Sequence, residues 1–291
     1  MQRTRTRGCL GLLVSLLWVS TALAEGSTSE LRVLTYNTHG LPSWLVSDDP
    51  KTRLPIISGL INAYDLVLIQ ENFAYPELLA SSAEHPVIEL GNPPRTAWMR
   101  RLPMFSGSGL TTLSSVPLTN GASVTREPLG VCSGWLSKAN DCWASKGFLR
   151  LRVQLPNGGR IDVYNLHLDA GRSDDDRNVR RIQLERLGAR VAELSDGQAL
   201  IVAGDFNLNG SDSADALLLR GFRTELGLRD SGARNPEGGT FPNQLDYLLY
   251  RDGDRTTLEV LEAGPASEFK RDEVPLSDHP ALFARFRVSP R

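Results

Sequence analysis

The sequence predicts a single α/β domain in which two β-sheets pack face to face and helices cover their outer surfaces. Three observations predict it. Strand signals recur from one end of the chain to the other, helical periodicity appears only in a few places between them, and 291 residues suffice for one large core. No internal repeat, low-complexity tract or linker divides the chain, so residues 25–291 read as one unit.

The first strand signal is Leu31-Arg-Val-Leu-Thr-Tyr36, an alternating run of β-formers. Arg53 to Tyr64 then places Ile56, Ile57, Leu60 and Ile61 at helical spacing, followed by the buried-strand run Leu66–Ile69. Further strand signals fall at Gly109–Leu113, Phe148–Val153, Ile161–Leu166, Ala199–Ala203, Gln244–Leu249 and Ala281–Val288. The clearest helix opens on the acids Asp174, Asp175 and Asp176 and carries the apolar stripe Val179, Ile182, Leu187, Val191 and Leu194. Gly91–Pro94 and Asn235–Asn243 read as loops.

Ahead of this domain, residues 1–24 read as a signal peptide. Arg3, Arg5 and Arg7 precede a short apolar run from Leu10 to Val19, and Ala22-Leu23-Ala24 supplies a small-x-small cleavage pattern. The competing reading is a retained membrane anchor, which the shortness of the apolar run disfavours. The expected location is therefore periplasmic or extracellular. There Cys132 and Cys142, the pair left once Cys9 departs with the leader, should form a disulfide. The leader holds three of the 32 basic residues and none of the 34 acidic ones, so its removal leaves a net charge of −5. That balance argues against a protein whose main partner is a phosphate backbone, although a local basic groove would still permit one.

The polar residues recur where strands end. Asn37 and His39 follow the first strand, Glu71 follows Leu66–Ile69, and His167 follows Ile161–Leu166. Asp205 and Asn207 follow Leu200–Ala203, Asp246 lies within Gln244–Leu249, and Asp278 and His279 precede the last strand. Taken singly, each has an ordinary explanation: a solvated loop acid, an Asx turn at Gly204–Asn207, a loop cap, a structural ion pair. Together they would gather acids, amides and imidazoles at one edge of the fold. Carboxylates with an amide oxygen are hard ligands suited to Mg²⁺. Histidines beside them suit proton transfer at a phosphate.

The order of these residues resembles the endonuclease/exonuclease/phosphatase superfamily. The matching segments are Leu34-Thr-Tyr-Asn37, Gln70-Glu71, Gly204-Asp205-Phe206-Asn207, Leu245-Asp246-Tyr247 and Ser277-Asp278-His279, and they span nearly all of residues 25–291. The resemblance implies a four-layer sandwich of two mixed sheets flanked by helices (DNase I-like). It also implies Mg²⁺ (or Mn²⁺ or another divalent cation in its place) held by Glu71 with Asn37 and a further contact from Asp278. His279 oriented by Asp246 would serve as general base or electrostatic partner, Asp205 would position the attacking water, and Asn207 and His167 would donate hydrogen bonds to the phosphoryl group. Which of Asp205 and His279 takes the proton stays open. His39 stands where family nucleases commonly carry an acid, and either joins the site or caps its loop.

Within the superfamily, Asn165-Leu-His167-Leu-Asp-Ala170, Gly107-Ser-Gly-Leu110, Ser145-Lys146-Gly147-Phe148 and Gln183-Leu184 resemble the neutral sphingomyelinases. That implies a phospholipid substrate and contact with a membrane surface. Trp44, Trp98-Met99-Arg100-Arg101 and Trp135 are candidates for that contact, or are packing residues. A secreted nuclease acting on DNA or RNA, with Arg95, Arg100 and Arg101 as its nearest basic cluster, is the alternative. A phosphomonoesterase of inositol phosphates is a third, and a catalytically dead binding module a fourth.

Overall fold

A computed structural model describes residues 27–94, 107–134, 141–237, 241 and 243–291. The predicted leader, Arg95, Trp98, Arg100, Arg101 and Trp135 lie outside them. One six-stranded sheet contains β1 (Ser29–Asn37), β2 (Leu66–Gln70), β3 (Val87–Leu90), β4 (Thr111–Ser114), β11 (Thr256–Pro265) and β14 (Leu282–Pro290), in the order β11-β14-β1-β2-β4-β3. The other contains β5 (Val124–Pro128), β6 (Gly147–Gln154), β7 (Arg160–His167), β8 (Ala199–Asp205), β9 (Arg229–Asp230) and β10 (Asp246–Arg251), in the order β5-β6-β7-β8-β10-β9. Each sheet has one central parallel pair, β1 with β2 and β7 with β8, and antiparallel neighbours on both sides. The parallel pairs need crossovers, which α1 (Pro50–Leu60) and α3 (Asp174–Leu194) provide. A short α2 (Pro76–Leu79), α4 (Ser213–Leu226) and a small hairpin of β12 (Lys270–Arg271) and β13 (Val274–Pro275) complete the described elements.

Alternation along each strand separates three cores. Leu31, Val33, Leu66, Leu68, Leu149, Leu151, Ile161, Val163, Ile201, Ala203 and Leu248 meet between the sheets. The opposite positions Leu34, Tyr36, Val67 and Ile69 pack on Leu54, Ile57 and Ile61 of the α1 crossover. Tyr164, Leu166, Leu200 and Val202 pack on Leu187 and Val191 of α3 and on Leu219 and Phe222 of α4. The result is helix, sheet, sheet, helix: the four-layer sandwich the sequence predicts.

Helix α1 begins three residues before the predicted Arg53, because Pro50 suits the first helical turn, and it tightens into a 3₁₀ turn at Ile61–Ala63. Helix α3 opens with Ser173 and Asp176 in a reciprocal capping box, confirming the N-terminal signal. Helix α4 was not foreseen, although Asp212 caps its start and Gly227 closes it in the left-handed conformation. Cys132 and Cys142 form the expected disulfide, with Cα atoms 5.2 Å apart. Among the described residues no helix is long and apolar enough to cross a membrane.

Candidate active site

The same alternation that builds the core between the sheets builds the site. Continuing the inward positions of β1 from Leu31 and Val33 gives Thr35 and Asn37; β2 runs from Leu66 and Leu68 to Gln70. Strand β7 runs from Ile161 and Val163 to Asn165 and His167, and β8 from Ile201 and Ala203 to Asp205. Antiparallel β10 enters at the same edge, so its first inward residue is Asp246. His167, Asp205 and Asp246 are direct register partners across β7, β8 and β10, as Asn37 and Gln70 are across β1 and β2. The apolar core thus turns polar at one edge of the sandwich. The first polar layer is structural: Gln70 donates to Asn165 Oδ1 at 2.8 Å, and Asn165 donates to the carbonyls of Ile69 and Thr111, binding the two sheets together beneath the site.

Above that layer the Asn37 amide donates to Glu71 Oε1 at 3.1 Å and to Asp205 Oδ2 at 3.0 Å. Asn37 Oδ1 accepts from the His39 backbone N–H at 3.1 Å, so in this orientation the amide braces both carboxylates. Glu71, His39 and Asn207 all have left-handed backbone, with φ of 56°, 47° and 50°. Such a conformation costs a residue with a Cβ about 1–2 kcal/mol, least for Asn. At Glu71 and Asn207 it turns the chain immediately beyond a strand, so that the side chain faces the strand edge. Asn207 is held there by its N–H to Asp205 Oδ1 at 2.8 Å and by its amide to the Leu168 carbonyl at 3.0 Å.

His279 Nδ1 lies 2.7 Å from Asp246 Oδ2, and its Nε2 lies 3.8 Å from Asp205 Oδ2. Burial disfavours charge on this imidazole, but the carboxylates of Asp246 and Asp205 outweigh it and hold its pKa well above the ordinary range. Burial, reinforced by the Asp246 charge and opposed by His279 and Lys146, pushes the Asp205 carboxyl up to about 6. Ser277 donates to the Asn37 carbonyl at 2.7 Å, which ties the Ser277–His279 segment to the end of β1.

His167 is fully buried, 3.5 Å from Asp205 and 3.8 Å from Glu71. Its Nε2 is 2.7 Å from the ammonium of Lys146, itself buried, which also reaches Asp141 at 3.2 Å and the Leu168 carbonyl at 3.1 Å. An ammonium can only donate, so Nε2 accepts and His167 is neutral; burial and then the Lys146 charge drive its pKa well below the usual value. The donor at this position is therefore Lys146, for which the sequence offered only its place in a Lys-Gly segment before β6.

Among the described residues, two groups of side chains could hold a cation: Glu71, His167 and Asp205, and Asp205, Asp246 and His279, each with ligand atoms within 4.8 Å of one another. With His167 facing Lys146 and His279 facing Asp246, the oxygens of Glu71 and Asp205 are the fitting donors, and they suit a hard divalent ion. Asp278 and His39 stand beside these groups. His39 Nδ1 is 2.9 Å from Asp48 and 3.8 Å from Asp278, whose side chain is 57% exposed. Predicted residues Asn37, Glu71, His167, Asp205, Asn207, Asp246 and His279 thus converge, and His39 and Asp278 border them.

Residues 34–279 match the Endonuclease/Exonuclease/phosphatase family. Sphingomyelinases of Mycobacterium tuberculosis and Mycobacterium bovis are 30% identical over 283 residues, covering 90% of this chain and 54% of theirs. The chain therefore spans about half the length of those curated relatives. Among solved structures, sphingomyelinase C from Streptomyces griseocarneus superposes with a TM-score of 0.62 at 21% identity, covering 88% of this chain and 99% of that one. A beta toxin from Staphylococcus aureus with bound magnesium ions gives 0.63 at 17% identity, covering 90% and 100%. At these identities the structures establish the shared fold. The chain belongs to the endonuclease/exonuclease/phosphatase family.

Proposed function

We propose that the protein hydrolyses the phosphodiester of a phospholipid head group in the manner of a sphingomyelinase C, exported from the cell and dependent on Mg²⁺. The observation that carries this reading is the convergence of Glu71, Asp205 and the His279–Asp246 pair at one polar edge, in a chain whose curated relatives are named sphingomyelinase. Glu71 would hold the ion with an oxygen of Asp205. Asn37, expected as a ligand, instead braces both carboxylates through its amide, and Asp278 borders the site. Mn²⁺ has the same donor preference. Bound there, the ion supplies positive charge against the phosphate oxygens.

The residues divide the remaining work by protonation. His279, kept cationic by Asp246, donates from Nε2 to the phosphoryl oxygens or the leaving oxygen. Asp205, ionised above about pH 6, orients the attacking water and accepts its proton. On the opposite side Asn207 offers the remaining N–H of its amide, and Lys146, whose three N–H groups point to His167, Leu168 and Asp141, adds buried positive charge. No covalent intermediate is required.

A lipid substrate is favoured over nucleic acid by the surroundings. Arg177 and Arg180, which line a pocket with Asn207 and Arg172, pair with Asp174, Asp212 and Asp215. Trp44 and Leu45, beyond His39, are 66% and 56% exposed and suit an interface. Offering the purified protein phosphocholine lipid vesicles, plasmid DNA and inositol phosphates in parallel tests the assignment. Release of the phosphorylated head group alone supports it; cleavage of DNA alone or phosphate release alone overturns it.

A further inference from the structure

On the outer face of the second sheet, α4 and the segment that follows β9 enclose a cavity of about 350 Å³. Tyr247 fixes its position. Along β10 the preceding side chain, Asp246, turns inward to the catalytic edge, so Tyr247 turns outward into the cluster that holds Leu219 and Phe222 of α4. We propose that this cavity is a second anion site, separate from the catalytic edge, that binds a phosphate group through Arg220, Arg223 and Arg234.

Charge decides the sign of the ligand. The lining holds these three arginines against one carboxylate, Asp230, in a chain whose overall charge is negative. That carboxylate is already occupied. Its Oδ1 accepts from the Gly232 N–H and from Arg234, both at 2.9 Å, and its Oδ2 accepts from Arg234 at 3.0 Å. Arg223 comes no nearer to Oδ2 than 3.7 Å, and its Nε is closed off from solvent with no acceptor. A buried donor left without a partner is costly, and a bound anion would offset the guanidinium charge. Arg220 is exposed and pairs with no carboxylate among the described residues.

The arrangement decides the type of anion. Ala216, Leu219, Arg220 and Arg223 recur at helical spacing, so the two arginines stand one turn apart on the same face of α4. A guanidinium is a planar fork that pairs two donors with two oxygens of a phosphate, and two such forks converge here with Arg234 across from them. Leu219 and the Tyr247 ring add apolar surface, while the Tyr247 hydroxyl is turned to the carbonyls of Leu208 and Gln244, each at 2.9 Å. The volume lies at the small end of the roughly 300–1,000 Å³ typical of ligand sites, which suits a phosphate with little attached to it. Two sources carry that group: phosphate in solution, and the head group of an anionic lipid, for which Leu217 on the same helix, 64% exposed, offers an apolar contact. None of the residues assigned to catalysis lines the cavity, so the inference stands apart from the phosphodiesterase reading.

The test is calorimetric titration of the purified protein in EDTA at physiological ionic strength. The probes are inorganic phosphate and phosphatidylcholine vesicles with and without phosphatidic acid, whose head group is phosphate alone. Phosphate in solution, vesicles containing phosphatidic acid, or both should bind, and Arg220→Gln and Arg223→Gln should each weaken that binding by about tenfold, the worth of one charge-assisted hydrogen bond. Arg220→Gln removes an exposed, unpaired side chain, so it tests the site without disturbing the fold. Arg160→Gln, exposed at the far end of β7 from His167, removes the same charge and should leave the affinity unchanged. An Arg220-dependent response to inorganic phosphate identifies a soluble ligand; one confined to phosphatidic acid vesicles identifies a lipid head group. Binding of neither probe, binding unmoved in both α4 variants, or equal losses in Arg160→Gln and Arg220→Gln would overturn the site.

Discussion

Replacing Asp246 with asparagine keeps the side chain's shape and removes its charge from beside His279. Unit charges 2.7 Å apart attract by about 6 kcal/mol at an effective dielectric constant near 20. The attraction is opposed by burial of both groups, since Asp246 is 2% and His279 16% exposed. Burial by itself would lower the imidazole pKa, so the carboxylates are what keep His279 protonated. In Asp246→Asn that balance shifts toward burial: the His279 pKa falls, and the Nδ1–H loses its charged acceptor. Loss of the positioned imidazolium donor should lower kcat/KM by about 10²–10³-fold, or roughly 3–4 kcal/mol of transition-state stabilisation. The assay is a pH–rate profile of a soluble phosphodiester, together with an NMR titration of His279. A variant whose kcat/KM stays within threefold of wild type, with His279 titrating as before, would refute the reasoning.

Other outcomes follow from the same structure. Asp205 has its carboxyl raised from 3.8 to about 6, so between those values it holds a proton only when folded. Its contribution of about 3 kcal/mol is complete below about pH 4 and lost as pH rises through 6, and Asp205→Asn should flatten that decline in urea unfolding of the metal-free protein while abolishing turnover. Lys146→Met leaves Asp141 buried without its cation and should cost about 3–5 kcal/mol. The double variant with Asp141→Asn should recover most of this in the same unfolding assay, and additive losses would contradict the pairing. Breaking the Cys132–Cys142 bridge, which closes a loop with a sequence separation of 10, should cost about 3 kcal/mol and lower Tm, read by calorimetry with and without reductant.

The sequence was most legible where strands are interior. The segments predicted as strands correspond to β1, β2, β4, β6, β7, β8, β10 and β14, all flanked on both sides within their sheets. Of the strands that escaped, β3, β5, β9 and β11 are the four edges of the six-stranded sheets, and β12 and β13 are two residues each. Their faces are half exposed, as in the intermediate and exposed positions of β3, so they lack an apolar run. Helix α4 escaped for a different reason: Leu217, Leu218 and Leu219 are consecutive, which blurs a helical stripe, and Leu217 is 64% exposed.

The site was legible because its residues end strands whose alternation was already readable, so their inward facing follows from Leu31, Ile161 or Ile201. Lys146 was harder to place. It precedes a strand rather than following one, and its role depends on the antiparallel pairing of β6 with β7, which brings it to His167. The ammonium–imidazole contact makes Nε2 of His167 an acceptor. Asp48 and Arg53, which brace His39, lie on a loop and a crossover helix whose approach to the site no local pattern signals.

The most direct test of the account is head-group release from sphingomyelin vesicles by the purified protein in Mg²⁺, in EDTA, and in Mg²⁺ with Glu71→Ala. The expected result is choline-phosphate release in Mg²⁺, reduced by at least about 10³-fold under either of the other conditions. Turnover that survives EDTA, or that is unchanged in Glu71→Ala, would contradict it.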